Sequence, residues 1–296
     1  MTTLGFVGLG HMGGSMAARL LDAGYTVYGE SRDRRHANDL VRHGLQWRNT
    51  PREVAEAADV VITSVPDDDV LQHVASGPDG ILAGIEASQI WIDMSTVSPE
   101  TSRELARRVR ELGAELLDAP VSGSVPQAQT GTLTIMVGGD ERAYTRVEPI
   151  LRDLGTPTHI GDNGQGLVLK LAINISLAAQ MLAFAEGLVL ADRAGIDRRR
   201  AIDVMTQTAI GSPMLKARAE LVLDLPEEAW FDVRLMQKDI VLALDTARAL
   251  QVPLPSAATA DEVLTVARAL GYERRDIAAL FEALEHLVGE PVGSVA

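Results

Sequence analysis

Phe6-Val7-Gly8-Leu9-Gly10-His11-Met12-Gly13 sets three glycines in a G-x-G-x-x-G spacing, straight after the apolar run Leu4 to Val7 and just ahead of a helical pattern over Met16 to Ala23. That context is what the physics of the motif demands: a strand before it, a helix after it. Gly8 permits the tight turn, Gly10 lets the backbone approach a diphosphate, and Gly13 lets the helix sit close to the strand with its first N–H groups facing the phosphates. Gly8, Leu9, Gly10, His11, Met12 and Gly13 are therefore the expected dinucleotide contacts. His11 holds a turn position with no proton-transfer role assigned to it.

The pattern continues outward from this loop. Thr26 to Tyr28, Val60 to Ser64, Ile90 to Asp93 and Glu115 to Asp118 read as further strands. Between them lie helical patterns such as Pro51 to Ala57 and Pro99 to Leu112, the latter opened by Ser98 as N-cap with Pro99 in the first turn. Strand-helix alternation predicts parallel βαβ units, hence an α/β fold with a Rossmann-type doubly wound sheet. Thr134 to Val137 and Thr158 to Ile160 should end that sheet, with Asp140 to Leu154 helical between them. After Gly161-Asp162-Asn163-Gly164 strand signals stop, and Ala/Leu-rich helical patterns take over: Gln165 to Ala194, Arg198 to Thr208, Ser212 to Val222, Val233 to Leu250, Pro255 to Ala269 and one more after Arg275. The expected organisation is a nucleotide-binding domain over 1–163 and an all-α substrate and dimerisation domain over 164–296.

At 296 residues the chain has room for two cores and a cleft. Its formal net charge of -14 disfavours a nucleic-acid partner. The absence of cysteine excludes disulfides, thiolate catalysis and zinc-cysteine sites; no metal site is expected, and a reducing cytoplasm fits. The N-terminus lacks the charged and apolar regions of an export signal. The one long apolar run, Leu167 to Ala191, carries Lys170, Asn174, Gln180 and Glu186, each costly in lipid, and so reads as a buried helix rather than a membrane span.

Two readings of the cofactor stand at the end of the second strand, Val27-Tyr28-Gly29-Glu30-Ser31-Arg32-Asp33-Arg34-Arg35. With a strand ending at Glu30, Ser31 and Arg32 are presented to a 2′-phosphate, with Arg35 adding charge nearby, and the cofactor is NADP. With a strand one residue shorter, Glu30 takes the ribose hydroxyls and the cofactor is NAD. Three arginines in four positions of so acidic a chain favour NADP.

Asp118-Ala119-Pro120-Val121-Ser122-Gly123-Ser124 follows a strand, so it should form a loop at the ligand-binding edge of the sheet. Ser122 and the N–H groups of Gly123 and Ser124 can bind a substrate carboxylate; an ordinary serine-glycine turn is the plain alternative. Lys170 stands in an almost wholly apolar helix with Asn174 one turn later on the same face. An ammonium so placed either snorkels to the surface or serves in proton transfer.

With Gly131-Thr132-Leu133, Met136-Val137-Gly138-Gly139, Gly164-Gln165-Gly166, Lys170-Leu171 and Lys238-Asp239 added to the two loops above, the chain resembles the β-hydroxyacid dehydrogenases over nearly its whole length. These include 3-hydroxyisobutyrate dehydrogenases and glyoxylate or succinic semialdehyde reductases. The resemblance implies Lys170 as general acid for carbonyl reduction and base for alcohol oxidation. It implies Asn174 as the residue holding the reacting oxygen or orienting the lysine, and Ser122 with Gly123 as the carboxylate site. Thr96 would lie against the nicotinamide end, Val65-Pro66 near the adenosine side, and Lys238 and Asp239 would close over cofactor and substrate. It also implies a homodimer or homotetramer joined through the helical domain.

The chain departs from the family pattern at Ser124, where a second glycine is usual, and at Ile173, where the first of two asparagines is usual. The asparagine-arginine-threonine cofactor motif appears only as Ser31-Arg32-Asp33. Phe231, just before the helix bearing Lys238, is a candidate pocket residue or simply core. Two competing readings are an imine reductase on the same fold, against which Lys170 counts, and a non-catalytic nucleotide-binding scaffold.

Overall fold

The apolar run before the glycine loop forms β1 (Thr3–Val7), and α1 (His11–Asp22) begins directly after Gly10. The helix therefore starts well ahead of Met16, because the glycine loop itself supplies the first turn. The computed structural model describes residues 2–289. The first unit continues through β2 (Thr26–Glu30), a short 3-10 turn, α2 (Asn38–Arg42), β3 (Gln46–Trp47), α3 (Pro51–Ala57), β4 (Val60–Thr63), α4 (Asp68–Ala75) and α5 (Ile81–Gly84). There follow β5 (Ile90–Asp93), α6 (Pro99–Glu111), β6 (Glu115–Asp118), β7 (Val121–Ser122), α7 (Val125–Thr130), β8 (Leu133–Gly138), α8 (Glu141–Leu154) and β9 (Gly155–Gly161).

Among the described residues the strands form one sheet in the order β3-β2-β1-β4-β5-β6-β8-β7, with β9 paired to β8. The run from β3 to β6 is parallel, whereas β8 lies antiparallel to β6 and β7. The order reverses direction between β1 and β4, the switch point at whose carboxyl edge doubly wound sheets bind ligands. β4 and β5 are buried at every residue, as parallel strands covered on both faces must be. Alternation sorts their side chains: Phe6, Ile62, Ile92 and Leu117 pack toward α1 and α8, while Val7, Val61, Trp91 and Leu116 pack toward α3, α4 and α6.

Two strands escape the sequence reading. β3 is only Gln46-Trp47, too short to show a period. β7 falls in the expected loop, where Val121 and Ser122 pair with Ile135 and Thr134 of β8.

The helical unit comprises α9 (Gln165–Arg193), α10 (Arg198–Gln207), α11 (Pro213–Leu223), α12 (Val233–Leu250), α13 (Pro255–Ala269) and α14 (Leu280–Val288). The two compact units divide between Lys170 and Leu171, inside α9 and past the Gly161 to Gly164 turn. The physical reason is that the first turn of α9 belongs with the sheet: Leu167 sits in the sheet core, and Asp118 binds the helix start. By length and composition α9 could cross a membrane. Its Ala178, Met181, Phe184 and Leu188 lie instead in the core of the helical unit.

That unit is pinned by Asp276, which is fully buried. It takes Arg218 Nη1 at 3.0 Å and the backbone N–H groups of Trp230 and Phe231 at 3.0 and 3.1 Å. The segment leading into α12 is thereby held in place, and with it the register of Lys238 and Asp239.

Candidate active site

The glycine loop shows by its packing which residues can tolerate a side chain. Gly8 has φ +93° and a Cβ there would stand 2.3 Å from Ser64 O. A Cβ on Gly13 would stand 2.0 Å from Gly8 O. Gly10 has nothing within 4 Å of its Cβ position, so the loop is open where a diphosphate would approach. The first turn of α1 carries no acidic residue and its N-cap, Gly10, offers no side chain, leaving the first N–H groups for an anion. Leu9 is buried and Met12 packs on the core, so both serve the loop through their backbone, while the His11 side chain is exposed. These features fit a dinucleotide.

β2 runs through Glu30, so Ser31 and Arg32 follow the strand end, with Arg32 exposed. Arg35 is committed elsewhere: its guanidinium reaches Asp33 at 2.7, 3.0 and 3.1 Å. That pair is at the surface and adds little stability, but it offsets the Asp33 charge beside Arg32. Glu30 has its carboxyl pushed up to about 7 by burial.

The loops after β4 and β5 are tied together by Asp93. Its Oδ1 accepts hydrogen bonds from Thr63 Oγ1 at 2.7 Å, Ser95 Oγ at 2.6 Å and Ser95 N at 3.2 Å. Ser95 Oγ in turn accepts from the N–H of Val65 at 2.9 Å, and Trp91 Nε1 donates to Thr63 Oγ1 at 2.9 Å. Val65-Pro66 and Thr96 thus lie on two loops held in register by one buried carboxylate. Asp93 Oδ2 is buried without a hydrogen-bond partner, and desolvation pushes the carboxyl up to about 6.

After β6, Ser122 closes β7, and Gly123 takes φ +134°, where a Cβ would meet Leu133 Cδ2 at 2.8 Å. Ser124 opens α7, and its N–H donates to Gln127 Oε1 at 2.9 Å. That amide is spent on the helix start, unlike the expectation that it faces a carboxylate; Ser122 and the Gly123 N–H are left for that role. Lys170 is partly buried on α9, in the turn after the two residues that Asp118 binds.

In the helical unit, Asn174 is fully buried and its Nδ2 donates to Asp239 Oδ2 at 2.5 Å. Lys238 Nζ stands 2.9 Å from Asp239 Oδ1. Asp239 accepts only, so the Asn174 amide is oriented with Oδ1 pointing away, and that oxygen is buried with no partner. Phe231 is partly buried against the helical core. Among the described residues no group of three or more His, Cys, Asp or Glu could hold a metal.

Residues 3–163 match the NAD binding domain of 6-phosphogluconate dehydrogenase, and residues 164–284 match the NAD-binding of NADP-dependent 3-hydroxyisobutyrate dehydrogenase. The chain is 38% identical to a 2-hydroxy-3-oxopropionate reductase of Escherichia coli, over 95% of its own length and 97% of the relative's. It belongs to the β-hydroxyacid dehydrogenase family. A 2-(hydroxymethyl)glutarate dehydrogenase of Eubacterium barkeri is 34% identical, with 98% of this chain and 97% of that one covered. The solved structure of a 3-hydroxyisobutyrate dehydrogenase from Salmonella typhimurium superposes with a TM-score of 0.88 at 32% identity, covering 95% of this chain and 99% of the other. As a β-hydroxyacid dehydrogenase, the protein is an NAD(P)-dependent oxidoreductase acting on hydroxyacids.

Three buried carboxylates have no role assigned from the sequence: Asp93, Asp118 and Asp276. Each of the first two is the acid that ends an apolar strand, which was a usable signal; Asp276 has none, since it lies in a charged turn.

Gly10→Ala should leave thermal stability unchanged while weakening cofactor binding in a fluorescence titration, because the added methyl enters open space on the diphosphate path. Gly13→Ala should lose stability itself, by about 1–3 kcal/mol as overpacking typically costs. For Asp93 the native pKa, about 6, lies above its ordinary 3.8, so the native state holds a proton that the unfolded chain releases. Stability from this group is therefore greatest below about pH 4 and falls by about 3 kcal/mol as pH rises through about 6. Urea titrations from pH 4 to 7 should show Asp93→Asn flattening that slope; an unchanged slope would mean the carboxyl is not buried and neutral there.

Proposed function

We propose that this protein is a cytoplasmic, NADP-preferring enzyme that interconverts a small β-hydroxyacid and its semialdehyde or keto form, with Lys170 as general acid and base. Substrates of the class of glyoxylate, succinic semialdehyde or a three-carbon semialdehyde fit this reading. The observation that carries it is the Asn174 amide: buried, turned by Asp239, with an unpartnered Oδ1 one helical turn from Lys170. A buried acceptor left open costs about 1–3 kcal/mol, which a functional partner would offset.

When bound, NADPH would supply the hydride for carbonyl reduction, and NADP+ would accept it for alcohol oxidation. The Lys170 ammonium donates a proton to the carbonyl oxygen as negative charge develops there, and the neutral amine accepts one from the alcohol. Asn174 Oδ1, an acceptor, holds the ammonium or the product hydroxyl rather than the oxyanion. Ser122 and the Gly123 N–H bind the carboxylate. Arg32 with Ser31 receives the 2′-phosphate, and the Asp33 charge is already offset by Arg35. Lys238, paired with Asp239, serves the cofactor, and Phe231 bounds the substrate. Exposed Leu190, Val204 and Ile210 on the helical unit, 73%, 59% and 58% accessible, support association as a homodimer or homotetramer.

The first experiment follows NADPH and NADH oxidation against semialdehydes, keto acids and cyclic imines. Aldehyde or keto-acid turnover with NADPH is expected, and turnover of imines alone would overturn the reading. Lys170→Ala should keep cofactor affinity and lose about 100- to 10,000-fold in kcat, the usual share of general acid–base catalysis. Arg32→Glu should raise the KM for NADPH at least 10-fold, in line with about 1.5–3 kcal/mol for a charged hydrogen bond, and leave NADH less affected.

A further inference from the structure

Asp118 ends β6 with its side chain fully buried, and none of the roles above uses its carboxylate. Both oxygens face the first turn of α9. Oδ1 accepts from Gly164 N at 2.7 Å, and Oδ2 accepts from Leu167 N at 3.1 Å. The Ser102 hydroxyl of α6 donates to Oδ1 at 3.4 Å. The first N–H groups of a helix have no partner within the helix, and a carboxylate among them also meets the positive end of the helix dipole.

Most such caps come from the residue just before the helix. Several other helices here follow that habit, with Asp67, Asp140, Ser212 and Asp232 capping α4, α8, α11 and α12. A local cap travels with its own helix and fixes nothing else. The cap of α9 comes from a strand 46 positions earlier, so it ties the helix to the sheet.

The packing around the carboxylate is built for this approach. A Cβ on Gly166 would stand 2.4 Å from Met136 O and 2.9 Å from Asp118 Oδ2. A Cβ on Gly138 would stand 2.7 Å from the same oxygen. From Leu167, less than one further turn leads to Lys170; from Asp118, the strand end leads through Ala119-Pro120-Val121 to Ser122.

We infer that Asp118 is a positioning residue that fixes the register and rotation of α9 against β6, and so the place of the Lys170 ammonium relative to Ser122 and Gly123. The inference rests on the acid/base reading of Lys170. A slip of one residue moves a helical side chain by about 1.5 Å along the axis and about 100° around it. A misplacement of about 1 Å at reacting groups costs about 100-fold in rate.

Asp118→Asn in the full chain is the test, since it keeps the shape and one acceptor while setting an amide N–H₂ against a backbone N–H. NADPH affinity should stay within about 2-fold, under half a kcal/mol. The kcat for reduction should fall about 100-fold. Amide hydrogen exchange should quicken over 164–170 and not in β1 or α1. The alkaline limb of the kcat profile should move to lower pH, because the variant removes a negative charge from the start of the helix that carries the ammonium. Gly166→Ala should lower kcat in the same way by pushing on the helix start, without any change of charge and so without the pH shift.

Normal kcat in Asp118→Asn, or a loss of kcat accompanied by lost NADPH binding and faster exchange throughout the sheet, would overturn the inference. Lys170→Ala, run alongside, separates the two claims: near-normal turnover in that variant sinks the acid/base reading, whereas the exchange pattern of Asp118→Asn reports the anchor without reference to Lys170.

Discussion

A Cβ on residue 13 would lie 2.0 Å from the Gly8 carbonyl oxygen, so α1 can reach its place on β1 only because that residue is glycine. The rest of the first unit depends on this approach. It brings the N-terminal N–H groups of α1 to the carboxyl edge of the sheet, beside the point where strand order reverses between β1 and β4. The same constraint explains why the helix begins within the glycine loop rather than at the first periodic apolar residue. Backbone proximity, not side-chain chemistry, makes the dinucleotide end of the protein.

Carboxylates at strand ends then organise what the glycines leave open. Asp93 joins the loops after β4 and β5, and Asp118 joins β6 to the start of α9. Neither is an ion pair. Each ends an apolar strand and exchanges water for donors from backbone and hydroxyl groups, an arrangement that keeps loops aligned in a dry interior. The exchange is incomplete at Asp93, where one oxygen has no partner and the carboxyl resists ionisation. At Asp118 two backbone N–H groups and a hydroxyl oppose the desolvation that raises its pKa.

The helical unit uses the same device for a different end. Asp276 gathers Arg218 and two backbone N–H groups, setting the entry to α12, and α12 brings Asp239 to Asn174. The orientation of one amide is thus decided by a chain of buried acids, with Lys238 at its rim. The hydrogen bonds explain why each of these residues must be where it is.

Much of this was legible from residue order. The G-x-G-x-x-G spacing, the alternation of apolar runs with helical patterns, and the single lysine in an apolar helix are local signals, carried by periods of 2 and 3.6 residues and by glycine's freedom of φ. They determined the doubly wound sheet, the helical second half and the candidates Lys170, Asn174, Ser122 and Arg32. Short or irregular pieces left no period: β3, β7 and the true start of α1. Only the tertiary structure decided that the Ser124 amide is spent on Gln127, that Arg35 is held by Asp33, and that the Asn174 oxygen is the open end of its amide. It also decided that the cap of α9 comes from β6. Such facts depend on which donors and acceptors meet across dozens of residues, and no local spacing encodes a partner that far away.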